Sequence, residues 1–136
     1  MAETVRPGRG LLDTSVVIDL LAVDPSRLPA ESAISTLTLA ELAAGPHATR
    51  DHNERARRQQ RLQWAEATFD PIPFDLAAAR TFGVIFAAVQ RVGRRGRRRV
   101  VDLMIASVAA ANDLPLYTRN AAGFRGLAEV VRVIEC

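Results

Sequence analysis

Three carboxylates sit among aliphatic neighbours in this chain: Asp13 in the run GLLDTSVVIDL, Glu41 in STLTLAELAAG and Asp102 in RRVVDLMIASVAAAN. Such neighbours bury the backbone around them, and a carboxylate carried into an apolar setting must meet a cation or a set of hydrogen-bond donors. Each acid also has a plainer reading. Asp13, or Thr14 or Ser15 after it, can cap a helix; Glu41 can complement a helix dipole; Asp102 can be satisfied by the N–H groups of its own helix's first turn. A site that gathers all three around one metal ion is the reading that accounts for them together. Asp19, on a helix exposed on one side, and Asp113, in a helix-ending turn, stand outside it.

The elements that would position these acids alternate along the chain. A short apolar run from Gly10 to Leu12 leads into a helical stretch, Val16 to Ala22, that stops before Asp24-Pro25. A second strand, Ala33 to Thr36, leads into a helix carrying Glu41 that Gly45-Pro46 ends. An arginine-studded surface helix from Asp51 to Thr68 follows, then a β-like Asp70 to Phe74, with Asp75 as N-cap of a long amphipathic helix from Leu76 to Val92. A helix from Val100 to Asn112, a strand at Leu116 to Thr118, a brief helix near Gly123 to Leu127 and a last strand at Val130 to Ile134 complete the pattern. Short strands alternating with helices predict an α/β fold: a small parallel sheet of four to five strands with helices on both faces. Asp13 ends a strand and Glu41 opens the helix after one, which is the carboxyl edge of a parallel sheet, where ligands collect.

At 136 residues the chain is expected to form one domain, residues 10–136, behind a flexible tail of residues 1–9. All 18 basic residues are arginine, so chemistry that needs a lysine nucleophile or Schiff base is excluded. A net charge of +3 carried by arginine forks suits a polyanionic partner. The segment from Arg91 to Arg99 concentrates Arg94, Arg95, Arg97, Arg98 and Arg99 just before Asp102, either as a solvated charge run or as a collector of backbone phosphates. Arg50, Arg55, Arg57, Arg58 and Arg61 form a second basic strip, tempered by Asp51 and Glu54. A single cysteine, Cys136, permits no internal disulfide, and the first ten residues hold no apolar stretch; a cytoplasmic chain without membrane attachment is expected.

The succession of DTS at Asp13-Thr14-Ser15, a glutamate in an apolar helix at Glu41, VVDLMIASVAA around Asp102, and Leu116-Tyr117-Thr118-Arg119-Asn120 followed by Phe124 resembles the PIN-domain ribonucleases. Within them it is most similar to the VapC-type toxins of toxin–antitoxin pairs. The resemblance runs from Gly10 to Val133 and implies a PIN-like fold in which Asp13, Glu41 and Asp102 are catalytic. Family members commonly end the last motif as T-x-N-x-x-D-F, and here Gly123 stands at the place of that fourth acid.

What the resemblance implies is a metal-dependent endoribonuclease. Carboxylates without histidine or thiol partners are hard ligands, suited to Mg²⁺ with Mn²⁺ as substitute. Asp13 and Asp102 would hold the ion, with Glu41 bound directly or through water, while Ser15, Thr118 and Asn120 support the acids or a phosphate. Ser15 and Thr118 could equally be ordinary capping hydroxyls. Implied partners are RNA, either tRNA or ribosomal RNA, a VapB-type antitoxin, and a second copy in a homodimer. The competing reading is a catalytically silent PIN-like module that binds RNA or protein, its acids kept as caps.

Overall fold

The computed structural model describes residues 8–92 and 100–136. Four strands, β1 (Arg9–Leu12), β2 (Glu31–Ala33), β3 (Leu116–Thr118) and β4 (Val133–Glu135), form one sheet in the order β2-β1-β3-β4, with every neighbouring pair parallel. Five α-helices accompany them: α1 (Thr14–Ile18), α2 (Thr36–Ala44), α3 (His52–Thr68), α4 (Leu76–Val92) and α5 (Val100–Ala111). The expected small parallel sheet with helices on both faces is therefore present.

Side-chain alternation explains the layering. Leu11 pairs with Ala33 on one side and Leu116 on the other, and Leu116 with Val133, so these residues form a row on one face. That row packs with Ala78, Ile85 and Ala88 of α4 and with Leu103, Ile105, Ala106, Val108 and Ala109 of α5. One residue along, Leu12 pairs with Tyr117 and Tyr117 with Ile134, and this row meets Val16 and Val17 of α1, Leu42 of α2 and Ala65 of α3. With both faces covered, the central strands show no polar alternation: Gly10, Leu11 and Leu12 of β1 and all of β3 are buried, while the edge strand β2 keeps Glu31 exposed. Each fully buried leucine or isoleucine in these layers contributes about 1.5–3 kcal/mol.

Close packing dictates one glycine. At Gly10 a Cβ would run into the ring of Tyr117 on the neighbouring strand, so the buried tyrosine lies across β1 only because residue 10 has no side chain.

Several boundaries move from where the sequence put them. β1 begins at Arg9, ahead of Gly10, and β2 lies at Glu31–Ala33 rather than Ala33 to Thr36, because Ser35 leaves the sheet to cap α2: its Oγ accepts from the Thr38 amide at 3.2 Å. The first helix is split into α1 and a 3₁₀ turn at Leu20–Ala22. The β-like Asp70 to Phe74 forms no strand of the sheet and makes one isolated parallel bridge, Ile72 to Ser35, outside its four strands. The brief helix near Gly123 is a 3₁₀ turn over Ala121–Phe124, and the last strand starts at Val133 rather than Val130.

Candidate active site

In a sheet of this order the chain leaves β1 to one side for β2 and later returns on the other side as β3, so a crevice opens at the carboxyl ends of β1 and β3. Asp13 follows β1 directly, and its amide donates to the Tyr117 carbonyl of β3 at 2.9 Å. It is the N-cap of α1: one carboxylate oxygen, Oδ1, accepts from the Val16 amide at 3.1 Å and from Ser15 Oγ at 2.6 Å. Only 4% of the residue is exposed, and among the described residues nothing donates to its second oxygen, Oδ2. Capping therefore accounts for half of this carboxylate. A carboxylate oxygen of a buried residue with no donor among the described residues is the kind of atom a cation satisfies.

Ser15 links the two strand ends. While donating to Asp13, its hydroxyl accepts from the Arg119 amide, just beyond β3, at 3.2 Å. Thr118, wholly buried at the end of β3, accepts through Oγ1 from the Asn120 amide at 3.2 Å, which turns the chain into the 3₁₀ segment. Asn120 itself is exposed at the head of that segment. Arg119 sends its guanidinium back over the edge, donating to the Cys136 carbonyl at 2.8 Å and lying 3.5 Å from the Asp19 carboxylate.

Glu41 arrives from α2. Thr14 Oγ1 donates to Glu41 Oε1 at 2.6 Å and lies 3.0 Å from Thr38 Oγ1. Each hydroxyl has one proton, and Thr14 spends its own on the carboxylate, so Thr38 must donate to Thr14. The result is a directed chain from Thr38 through Thr14 to Glu41, built of two buried hydroxyls ending on a half-buried acid. Sequence reading treated Thr14 as a mere capping candidate and passed over Thr38. The signal was present in the spacing, since Thr38 lies three residues before Glu41 and so shares its helix face.

Asp102 stands half-buried in the first turn of α5, the helix that packs against α2. The basic cluster Arg94, Arg95, Arg97, Arg98 and Arg99 lies outside the described residues. Among the described residues no three Asp, Glu, His or Cys side chains are gathered closely enough to enclose a metal ion by themselves. The arrangement is open: a capping aspartate with one oxygen to which no described residue donates, a glutamate held by threonines, and an aspartate on the helix packed beside it.

A family profile for the PIN domain matches residues 10–130, a span that contains Asp13, Glu41, Asp102, Thr118 and Asn120. The chain belongs to the PIN-domain family. This PIN domain is 36% identical over 117 residues to Ribonuclease VapC5 of Mycobacterium tuberculosis, covering 84% of each chain. Its structure matches the crystal structure of VapBC-5, a member of the VapBC family of toxin–antitoxin systems from the same organism. The TM-score is 0.84, at 36% identity, covering 96% of this chain and 100% of that one. FitAcB from Neisseria gonorrhoeae matches with a TM-score of 0.72 at 25% identity, over 91% of this chain and 95% of that one. The resemblance read from the motifs is thus shown: this is a PIN domain of the VapC type.

Proposed function

We propose that the protein is a Mg²⁺-dependent endoribonuclease, the toxin of a VapBC-type toxin–antitoxin pair. Likeness to Ribonuclease VapC5 supports nuclease activity, and likeness to VapBC-5 supports a VapB-type antitoxin as partner. The observation that carries the chemistry is Asp13, a buried carboxylate whose Oδ1 is consumed by Ser15 and Val16 and whose Oδ2 has no donor among the described residues.

An all-oxygen donor set of low density fits Mg²⁺, which keeps several waters and takes only one or two carboxylates from the protein. Asp13 and Asp102 would hold it, with Glu41 bound directly or through water. When bound, the ion supplies positive charge opposite the scissile phosphate and acidifies water at neutral pH. The protein's own residues do the rest. Ser15 and the α1 amide fix the Asp13 carboxylate, the threonine chain fixes Glu41 as a hydrogen-bond acceptor, and the crevice between β1 and β3 admits the phosphate at their shared edge. The arginines from Arg94 to Arg99 would gather the RNA backbone, tRNA or ribosomal RNA being the substrate classes.

Among the described residues no helix is long and apolar enough to cross a membrane. With a single cysteine this is consistent with a cytoplasmic protein. Leu76, Val84, Phe86 and Val92 of α4 are exposed large apolar side chains, and a homodimer through one side of α4 would cover part of them.

Sequencing of RNA ends after brief induction tests the function and names the substrate. New ends are expected with the wild type and not with Asp13→Ala. A second reading, a silent RNA- or protein-binding module, is favoured by Gly123, which occupies the 3₁₀ turn where relatives commonly place a fourth acid. It would prevail if purified protein cut no RNA with either Mg²⁺ or Mn²⁺, whereas cleavage left untouched by Asp102→Asn would overturn the carboxylate-metal mechanism.

A further inference from the structure

Glu41 is one wall of a cleft of about 280 Å³ that continues away from the crevice, between the end of α1 and the facing sides of α2 and α3. Glu54, Arg58 and Arg61 line its far wall. Their spacing of four and three residues places all three on the face of α3 that packs against α2.

The charges in this cleft are not equally available. Glu54 Oε2 accepts from Arg57 at 2.7 Å and Glu54 Oε1 from Arg58 at 3.1 Å, and these two guanidinium groups, Arg57 foremost, hold the Glu54 carboxyl below its ordinary range. Arg58 spends a further donor on the Gly45 carbonyl at 2.9 Å, closing the end of α2. Arg61 is half-buried and makes no hydrogen bond or ion pair with any described residue. Among the described residues its guanidinium is therefore uncommitted, and it lines the same cleft as Glu41. The floor supplies apolar surface in Leu42 and in Ile18, which is 47% exposed at the end of α1.

We propose that this cleft is a subsite for the nucleotide flanking the scissile phosphate of RNA, with Arg61 gripping its phosphate and Ile18 lying against its ribose or base. It rests on the ribonuclease reading. The size suits one nucleotide, and the guanidinium fork matches two phosphate oxygens. Because the cleft begins at Glu41, whatever occupies it lies next in line to the bond being cut, and Arg61 acts as a positioning residue for that bond.

The test uses the full chain with Mg²⁺ and short single-stranded oligoribonucleotides that carry one cleavage site, comparing wild type with Arg61→Ala and Arg61→Lys. Arg61→Ala is expected to raise KM about tenfold with kcat nearly unchanged, and to lower the salt dependence of binding by the share of one phosphate, a slope of about 0.7. Arg61→Lys, keeping the charge without the fork, should recover part of the loss. Shortening the oligonucleotide by one nucleotide on the side that enters the cleft should abolish the difference between wild type and Arg61→Ala. Fluorescence anisotropy with the same RNA, read without turnover, separates the two readings: binding weakened by Arg61→Ala with no cleavage by the wild type sinks the nuclease reading and leaves Arg61 as an RNA-phosphate contact only. Unchanged KM and salt slope in Arg61→Ala overturns the subsite, as does weakened inhibition by the antitoxin with RNA binding intact, which would assign the cleft to a protein segment.

Discussion

The Asp13 side chain serves two masters: one oxygen stabilises α1 and the other has no donor among the described residues in a buried setting. Thr14 beside it turns outward from that cap to Glu41, and its effect is separable from folding. Thr14→Val keeps the shape and removes the 2.6 Å donor to Glu41, so RNA cleavage should fall about ten- to a hundredfold by rate measurement. The stability cost should stay near 1–2 kcal/mol in urea unfolding. Thr14→Ser should recover most of the activity, and a Thr14→Val protein of wild-type rate would remove the threonine chain from the mechanism. Cys136 offers a pH test. Burial pushes its thiol above the ordinary value, more than the nearby Arg119 pulls it down. A raised folded pKa means stability that is complete below the unfolded value and is lost as pH rises through the folded one. Alkylation at pH 8 should therefore be slow in the native protein and quick in denaturant, and unfolding titrations should show stability declining above about pH 9.

Among the elements, β1 and β3 define the crevice, and their closeness depends on Gly10 accepting the Tyr117 ring. Gly10→Ala should cost about 1–3 kcal/mol in thermal or urea unfolding, since an added methyl there meets a ring closed in by both strands. Wild-type stability in that variant would show that the ring moves freely. Most elements were legible from the sequence because their signals are local. Gly45-Pro46 ends the α-geometry of α2 at Ala44, although the chain runs on as a 3₁₀ turn over Gly45–Ala48; Asp75 caps α4, its Oδ1 accepting from the Ala78 amide at 3.0 Å, and Leu116–Thr118 is a strand with the limits its sequence predicts. The misplaced β2 shows the limit of such reading. Ala33, Ile34 and Ser35 are all buried and look like one strand, yet hydrogen bonding divides them, giving Ala33 to the sheet and Ser35 to the helix. Hydrophobicity does not report which amide a hydroxyl will meet.

For the molecule as a whole, the site joins segments separated by most of the chain: Ser15 touches the amide of Arg119, 104 residues away, and Thr14 touches Glu41, 27 residues away. If that junction binds a divalent cation, cation and fold are linked, because the unfolded chain holds no such site. Raising Mg²⁺ or Mn²⁺ to a hundred times its dissociation constant should stabilise the wild type by about 2.7 kcal/mol. Calorimetry or a melting curve should show that gain in the wild type and not in Asp13→Asn, where the Oδ1 cap can persist but the charge is gone. Equal gains in both would place the cation elsewhere. Acids among aliphatic residues, the order of strands and helices, and an arginine-only charge were all determined by the sequence, because each is a property of neighbours along the chain. Tertiary structure alone decided that Oδ1 of Asp13 is a cap while Oδ2 has no donor among the described residues, that Thr38 and Thr14 aim at Glu41, and that Arg61, without a partner among the described residues, lines the cleft beside it. Those facts depend on which groups meet across the fold, and a hydrogen bond is made or missed within a few tenths of an ångström, a scale that residue spacing does not carry.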